Sequence, residues 1–309
     1  MRRPSGDSDE HKRRLVLSAE PDKCMPTWVA ARCTAAAYPY FKGFEWNNEY
    51  LLDGGFVVNC PAELAIDETR CLWPDRSMDT LVSVGTGATH VNNDPSHVDV
   101  QSQDDLLKVA ETAINVVTNS EKLWKDFERY HKSNKDRINR LQPTYGQTFR
   151  LDAVKKLDTI SKEVEMWLKT IPDQIDLISN QLIAALFFFK PSVLDTQSRT
   201  QSGSIECRLP PDLSERKTLA YALKNVASAH QRQLFTVDIP GRDRSGEPIR
   251  VAVRLLEDLE PGAELSIPVT FDHLPLIGGS STIDIKLCSV FGSVEGRYSI
   301  SGCPFKISK

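Results

Sequence analysis

Apolar residues recur at spacings of three and four through the first two thirds of the chain, and this period predicts helices. The clearest apolar stripe consists of Leu157, Ile160, Val164 and Leu168. These residues fall on one face of a helix, because an α-helix turns once every 3.6 residues. Together with one alanine-rich stretch, the pattern predicts helices at residues 28–37, 61–73, 105–117, 120–132, 153–169 and 214–233.

Two short apolar runs that end in glycine predict strands of a sheet. Residues 50–53 run into Gly54-Gly55, and residues 80–84 run into Gly85-Thr86-Gly87. The helix predicted at 61–73 lies between the two runs. A strand, a helix and a strand at this spacing form an α/β unit, so we expect a largely parallel sheet.

A third apolar run, residues 182–189, is the longest in the chain. Its length is about that of a buried strand. We therefore interpret the later part of residues 178–193 as a strand. Residues 204–209 are predicted to be its hairpin partner.

From residue 234 onward, apolar and polar residues alternate in short stretches. The predicted strands are 235–239, 249–255, 264–269, 281–287 and 297–300. Alternation places the apolar residues on one face of each strand, and the glycines and prolines between the stretches mark turns. Short strands at regular spacing predict a small all-β antiparallel sandwich.

These patterns divide the chain into three parts. Residues 1–24 are polar and charged and are predicted to be a disordered leader. Residues 25–233 are predicted to be an α/β domain with a helical extension, and residues 234–309 a β-sandwich domain. The predicted fold class is therefore an α/β sheet with helices, followed by a small antiparallel sandwich.

The net charge and the hydropathy of the chain bear on whether it binds nucleic acid or membranes. The 309-residue chain has a net charge of -4 and a pI near 5.9, which gives no general attraction to nucleic acid. This balance excludes a strongly basic surface for anionic lipids but leaves room for a local basic patch. No apolar run approaches the roughly 20 residues of a spanning helix, and no secretory signal is visible. We expect a cytoplasmic protein, with peripheral contact to membranes left open.

Cysteine and histidine are too scattered to predict a disulfide framework or a metal site. None of the seven cysteines forms a C-x-x-C pair, and the six histidines show no zinc-type spacing. We interpret the cysteines as reduced, small apolar packing residues. No phosphate-binding glycine loop or calcium-ligand cluster is visible, so we expect neither a cofactor nor a metal ion.

Four short motifs follow one another between Trp28 and Gly87. They are W-V-A-A-R-C-T-A-A-A from Trp28, Y-L-L-D-G-G from Tyr50, N-C-P from Asn59 and S-V-G-T-G from Ser83. In order and spacing they resemble the motifs of the patatin-like phospholipase family, whose members are lipid acyl hydrolases. The resemblance covers about a fifth of the chain. It implies the C-terminal part of the family's catalytic domain, followed by a C-terminal extension.

The resemblance implies a Ser–Asp catalytic dyad on an α/β sheet. In the family, an aspartate in a D-G-G or D-G-A turn activates a serine of a G-x-S-x-G elbow, which attacks a lipid ester and forms an acyl-enzyme. By this resemblance Asp53 is the catalytic base. Gly54 and Gly55 support its turn, because glycine allows close backbone approach and positive φ. The implied substrates of a full-length form are lipids or lysophospholipids.

The serine half of that dyad is missing from the sequence. No G-x-S-x-G occurs in the 309 residues, and no glycine-rich oxyanion loop is found. One hypothesis is a hydrolase fragment or truncated product, which is inactive alone because the nucleophile belongs upstream of Trp28. The alternative is a non-catalytic pseudo-hydrolase, which acts as a scaffold or interaction protein. The sequence does not identify a protein partner.

Other conspicuous residues have structural interpretations. The resemblance implies that Arg32 is buried by ion pairing and has a structural role. Trp124 and Phe127 are predicted to be core residues. The basic stretch 129–135, which includes a histidine, is predicted to be a solvated face. No histidine is expected to take part in catalysis.

Overall fold

A computed structural model describes the helices and strands from residue 25 onward. The described residues are 25–37, 41–56, 58–89, 120–147, 149, 153–210, 214–230, 234–241, 246–249, 265–275, 280–292 and 295–308. The leader predicted at 1–24, the helix predicted at 105–117 and most of the strand predicted at 249–255 lie outside them. The chain divides into two compact units: Met1–Pro61 with Asp94–Trp124, and Ala62–Asn93 with Lys125–Lys309.

The first unit contains a helix and a β-hairpin. The elements are helix α1 (Thr27–Thr34), strand β1 (Phe44–Trp46) and strand β2 (Glu49–Leu51). The two strands pair antiparallel, and Asn47 and Asn48 connect them with φ of 50° and 64°. A two-residue turn with positive φ at both positions is the type I′ turn, which asparagine tolerates. The strand predicted at 50–53 is therefore the second strand of a hairpin, and its described partner is antiparallel.

The first part of the second unit contains two pairs of parallel strands. Its first elements are helix α2 (Ala62–Leu72), strands β3 (Leu81–Val84) and β4 (Ala88–Thr89), helix α3 (Ser120–Tyr130, which starts at the end of the first unit), the 3₁₀-helix Lys132–Arg137, and strands β5 (Ile138–Leu141) and β6 (Thr144–Tyr145). β3 pairs in parallel with β5, and β4 pairs in parallel with β6. The predicted strand 80–84 thus has a parallel partner, although the sequence pattern did not predict β5. Trp124 and Phe127 of α3 are buried, as predicted.

Three longer stretches of helix follow in the second unit. They are α4 (Leu157–Leu168), preceded by the 3₁₀-helix Val154–Lys156, α5 (Pro172–Ala185) and α6 (Ser214–His230). The apolar run 182–189, whose length suggested a single strand, is divided between two elements: α5 ends at Ala185 and a strand begins at Phe187. An unbroken apolar run has no periodicity that separates a buried helix end from a strand.

Eight described strands complete the second unit and form two antiparallel sheets. They are β7 (Phe187–Asp195), β8 (Thr200–Cys207), β9 (Phe235–Asp238), β10 (Glu247–Ile249), β11 (Ser266–Phe271), β12 (Ser280–Cys288), β13 (Arg297–Ser299) and β14 (Phe305–Ser308). One sheet has the order β11–β8–β7. The other has the order β10–β9–β12–β13, and β14 also pairs with β12. Four of the predicted strands coincide with β9, β11, β12 and β13 to within a few residues, whereas β14 was not predicted.

Aromatic residues join the two sheets across one apolar core. The rings of Phe187 and Phe235 meet edge to face with centroids 5.3 Å apart, and those of Phe189 and Phe305 lie at the same distance. Side chains of a strand point alternately to its two faces. The inward residues of β12 are completely buried, namely Ile283, Ile285 and Leu287. Because each such side chain contributes about 1.5–3 kcal/mol on burial, this core is a main source of stability.

The first sheet extends across the domain boundary predicted near residue 234. β8 pairs with β11 along its length, from Glu206 opposite Ser266 to Gln201 opposite Phe271. The hairpin of β7 and β8, which the sequence pattern assigned to residues 25–233, therefore shares a sheet and a core with strands beyond the boundary. Short-range alternation identifies a strand, but it does not identify a partner from a distant part of the chain.

A buried asparagine connects α5 with the loop that follows β12. Asn180 is 2% exposed. Its Oδ1 accepts hydrogen bonds from the N–H groups of Val290 and Phe291, at 2.7 and 3.0 Å, and its Nδ2 donates to the Phe291 carbonyl at 3.0 Å. One side chain thus satisfies three backbone groups, each of which would cost about 1–3 kcal/mol if it were buried without a partner.

The six described cysteines are free thiols, and several are packed in the interior. Cys33, Cys60 and Cys303 are buried, whereas Cys71 is exposed. Burial raises the pKa of the Cys303 thiol to about 11. The buried cysteines agree with their interpretation as small apolar packing residues.

We expect iodoacetamide at pH 8 to modify Cys71 well before Cys303. With a pKa of about 11, only about one Cys303 in a thousand is ionised at pH 8, and alkylation requires the thiolate. Peptide mapping by mass spectrometry after a short exposure measures both sites. The same treatment in denaturant should modify both, and equal modification of the native chain would contradict the buried position of Cys303.

Phe187→Ala should lower the free energy of unfolding by about 3–5 kcal/mol, because it removes a completely buried ring and leaves a cavity. The matched change is Phe291→Ala, since the side chain of Phe291 is 43% exposed. We expect that control to cost about 1 kcal/mol or less. Urea unfolding followed by circular dichroism measures both variants. Equal losses would show that the contact between the sheets is not the centre of the core.

Candidate functional site

Asp53 lies just beyond β2, in a turn that backbone contacts hold in place. Its N–H donates to the carbonyl of Ala36 at 3.3 Å, which ties the turn to the residues that follow α1. Its Oδ1 accepts a hydrogen bond from the Gly55 N–H, also at 3.3 Å. The residue is half-buried. No hydrogen bond from the described residues reaches Oδ2, so both lone pairs of this oxygen are open to a further donor there.

The two glycines after Asp53 form a right-handed turn. Gly54–Phe56 is a 3₁₀-helix, and neither Gly54 nor Gly55 has positive φ. The turn therefore does not use the positive φ that glycine allows at these two positions, since a 3₁₀-helix keeps φ negative. The expected close approach is present at one of them. A Cβ on Gly55 would lie 3.2 Å from Asp53 Oδ2, whereas a Cβ on Gly54 would meet nothing within 4 Å.

Arg32 connects α1 to the chain that leads into β1. Its Nη2 donates to the carbonyl of Lys42 at 2.8 Å, and its guanidinium lies 5.7 Å from the centroid of the Phe44 ring. Trp28 also packs edge to face on Phe44, with centroids 5.9 Å apart. Arg32 is half-buried, and these contacts are compatible with the structural role that the resemblance implies. Its partners in this part of the chain are a carbonyl and an aromatic ring instead of the expected acidic side chain.

Neighbouring side chains pack closely against Gly85 and Gly87, at the ends of the parallel strands. The N–H of Gly85 donates to the Leu141 carbonyl at 2.8 Å. A Cβ on Gly85 would collide with the side chain of Gln142, and a Cβ on Gly87 would lie 1.9 Å from the ring of Tyr145. Gly87 also has a φ of 108°, which only glycine adopts easily. A side chain at either glycine would therefore require a neighbouring side chain to move.

A buried histidine links α2 to the end of α3. His131 is 8% exposed, and its Nε2 lies 2.7 Å from Oε2 of Glu63. Its ring packs on Phe127, with centroids 4.6 Å apart. The prediction that residues 129–135 form a solvated face is therefore wrong for this residue. No spacing rule relates Glu63 to a residue so far along the chain, so the sequence could not have revealed the contact.

An open groove with a volume of about 400 Å³ lies beside this histidine. We refer to it as the basic groove. Its charged and polar lining consists of Lys125, Glu128, Arg129, His131, Lys132 and Lys135. The sequence predicted only that residues 129–135 form a solvated face. The structure shows that the end of α3 and the following 3₁₀-helix place them around one space.

The described residues contain no arrangement that suggests metal binding or a membrane span. No group of three or more His, Cys, Asp or Glu side chains there could hold a metal ion. None of the helices in the same part of the chain is both long and apolar enough to cross a bilayer. His90 and His97 lie outside the described residues.

No family model matches this chain, but part of it is similar to known phospholipases. Over 78 residues it is 36% identical to calcium-independent phospholipase A2-gamma of Oryctolagus cuniculus, which covers 25% of this chain and 10% of the relative. Over 60 residues it is 43% identical to the protein of the same name in Homo sapiens, covering 19% and 8%. Phospholipase A I of Arabidopsis thaliana is 41% identical over 61 residues, covering 20% and 5%.

These similarities confirm the resemblance to patatin-type phospholipases that the four motifs indicated. They are partial, as expected from motifs that cover about a fifth of the chain. The chain spans 10% or less of the length of each of these relatives. The comparison therefore establishes a related segment, and the activities of the relatives remain properties of those proteins.

Gly87→Ala should lower the free energy of unfolding by about 1–3 kcal/mol, because it forces an alanine to positive φ and against the Tyr145 ring. Gly146→Ala is the matched control, since a Cβ there meets nothing within 4 Å and φ is not positive. Thermal unfolding followed by circular dichroism compares the two. If Gly87→Ala were as stable as the control, the packing role of residues 85–87 would be wrong.

Proposed function

We propose that this chain carries the aspartate component of a patatin-type Ser–Asp dyad and is related in function to lipid acyl hydrolases. The observation that carries the proposal is the turn at Asp53. The backbone N–H of this half-buried residue donates to a carbonyl, and its carboxylate accepts a hydrogen bond from the Gly55 N–H. This turn occurs within four family motifs in the expected order. Relatives named as phospholipases support it, since the 60-residue human match is about as long as the stretch that holds the motifs.

The proposed chemistry uses Asp53 as a general base. As the oxygen of a serine hydroxyl attacks a lipid ester carbonyl, its proton passes to Oδ2 of the carboxylate. The tetrahedral intermediate then expels the alcohol, which takes up that proton, and leaves an acyl-serine. Water hydrolyses the acyl-serine in the same way and releases the fatty acid. A positioned base of this kind contributes about 10²–10⁴-fold to the rate.

The substrate class that we propose is a lipid or lysophospholipid ester. For the fold we propose a patatin-type α/β sheet in residues 25–233, for which the parallel pairs β3–β5 and β4–β6 are supporting observations. We propose a cytoplasmic location with peripheral access to lipid surfaces. The proposed location is compatible with the finding that no described helix could span a membrane.

The sequence has no G-x-S-x-G motif that could supply the nucleophile. Removing the nucleophile from a hydrolase of this kind lowers its rate by several orders of magnitude. We therefore propose that the 309-residue chain does not hydrolyse lipid esters alone. A longer form with the serine elbow and an oxyanion loop would be the active hydrolase.

A second candidate function, a non-catalytic scaffold, is favoured by the same missing serine. In this alternative the β-sheets of the second unit bind another protein, and Asp53 is a residue of the ancestral dyad that no longer takes part in catalysis. The folding of the purified chain separates the two. Cooperative two-state unfolding of the chain would favour a pseudo-hydrolase, whereas aggregation would favour a hydrolase fragment.

Asp53→Asn should abolish hydrolysis in a longer form that carries the serine elbow, with a loss of about 10²–10⁴-fold, because the amide cannot accept the serine proton. Asp75→Asn is the matched control, since Asp75 is exposed and outside the motifs. Fatty acid release from micellar phospholipid and from a short chromogenic ester measures the activity.

The same assays on the 309-residue chain should show no turnover above the blank. Turnover that Asp53→Asn removes would mean that another serine of this chain is the nucleophile. Turnover of the longer form that survives Asp53→Asn would refute the dyad.

A further inference from the structure

The cations of the basic groove have few partners. Arg129 pairs with Asp126, its neighbour on α3, at 2.9 Å. Lys125, Lys132 and Lys135 form no ion pair with any residue that the structure describes. All of these cations are exposed, and such side chains near one another repel. The groove also contains one carboxylate, that of Glu128, so its lining carries four cations against one anion. An anion in the groove would therefore be attracted by the excess positive charge of the lysines.

The floor of the groove is fixed, although its cations are exposed. The buried contact between His131 and Glu63 joins the end of α3 to α2. The 3₁₀-helix Lys132–Arg137 continues directly from His131 into β5. Lys132 and Lys135 therefore project from a short 3₁₀ segment that is kinked at Asn134 and anchored at both ends. Anchoring keeps the positive charges together without a bound ligand.

The form of the groove favours lipid headgroups over a free anion. The one buried polar side chain in its described lining, His131, has its Nε2 paired with Glu63. The lysines and the arginine lie on long, solvated side chains at an open surface. Such clusters attract the negative surface of a membrane, at about 1 kcal/mol for each lysine or arginine. The chain as a whole has a net charge of -4, so the attraction has to be local. We propose that the basic groove binds the phosphate-bearing headgroups of anionic lipids at a membrane surface.

The basic groove gives a surface for the peripheral lipid access proposed above, and its role is independent of the catalytic dyad. Membrane binding through lysines requires neither a nucleophile nor Asp53. It would hold equally for a hydrolase fragment and for a scaffold. The experiment below measures binding without hydrolysis, so its failure would leave the dyad proposal unaffected.

The test is co-sedimentation of the 309-residue chain with vesicles of phosphatidylcholine alone and of phosphatidylcholine with 30% phosphatidylserine, at ~0.1 M salt. The expected result is at least about tenfold stronger binding to the anionic vesicles. The binding should be lost at ~0.5 M salt, because screening weakens contacts between exposed charges. The double variant Lys132→Gln/Lys135→Gln should bind them about 30-fold more weakly.

The matched control is Lys155→Gln/Lys156→Gln, which makes the same change in net charge on the exposed 3₁₀-helix Val154–Lys156. It should bind as the unchanged chain does, and circular dichroism should show that both variants fold. Equal loss in the two double variants would overturn the proposal, as would no preference for anionic vesicles. So would calorimetric binding of inorganic phosphate that needs Lys132 and Lys135 while vesicles do not bind, since the ligand would then be a free anion.

Discussion

The rest of the second unit depends on the burial of aromatic rings between its two sheets. Phe187 and Phe189 project from one sheet onto Phe235 and Phe305 of the other. Because these rings come from both ends of the β-region, neither sheet can bury its apolar face without the other. The same cluster takes in Leu223 of α6. Helix and sheet residues thus share one water-excluding interior.

Local pattern was sufficient to predict much of this fold, and it failed where partners are distant. Alternation located β9, β11, β12 and β13, because burial of one strand face leaves a period of two in the sequence. It could not place β8 beside β11, since pairing depends on register and shape across the whole core. It also could not divide the run 182–189 between α5 and β7, where every position is apolar or small.

In the candidate site, too, the sequence could predict some features and not others. The turn at Asp53 could be predicted, because its motif is contiguous in sequence. The backbone conformation of Gly54 and Gly55 could not, since glycine is compatible with both signs of φ. The basic groove could not be predicted either. In the sequence its lysines look like ordinary surface residues. They lie around one groove because the contact of His131 with Glu63 fixes the segment that carries them, and the sequence does not show this contact.

Asn180 has a consequence for how the second unit opens. Its amide presents an acceptor and a donor to the backbone of Val290 and Phe291, much as a neighbouring strand would. The loop after β12 cannot detach without exposing these groups or pulling on α5. Amide protons of the loop and of the helix should therefore exchange with solvent in one joint opening event. A single side chain thus extends the cooperativity of the β-region into a helix that precedes it.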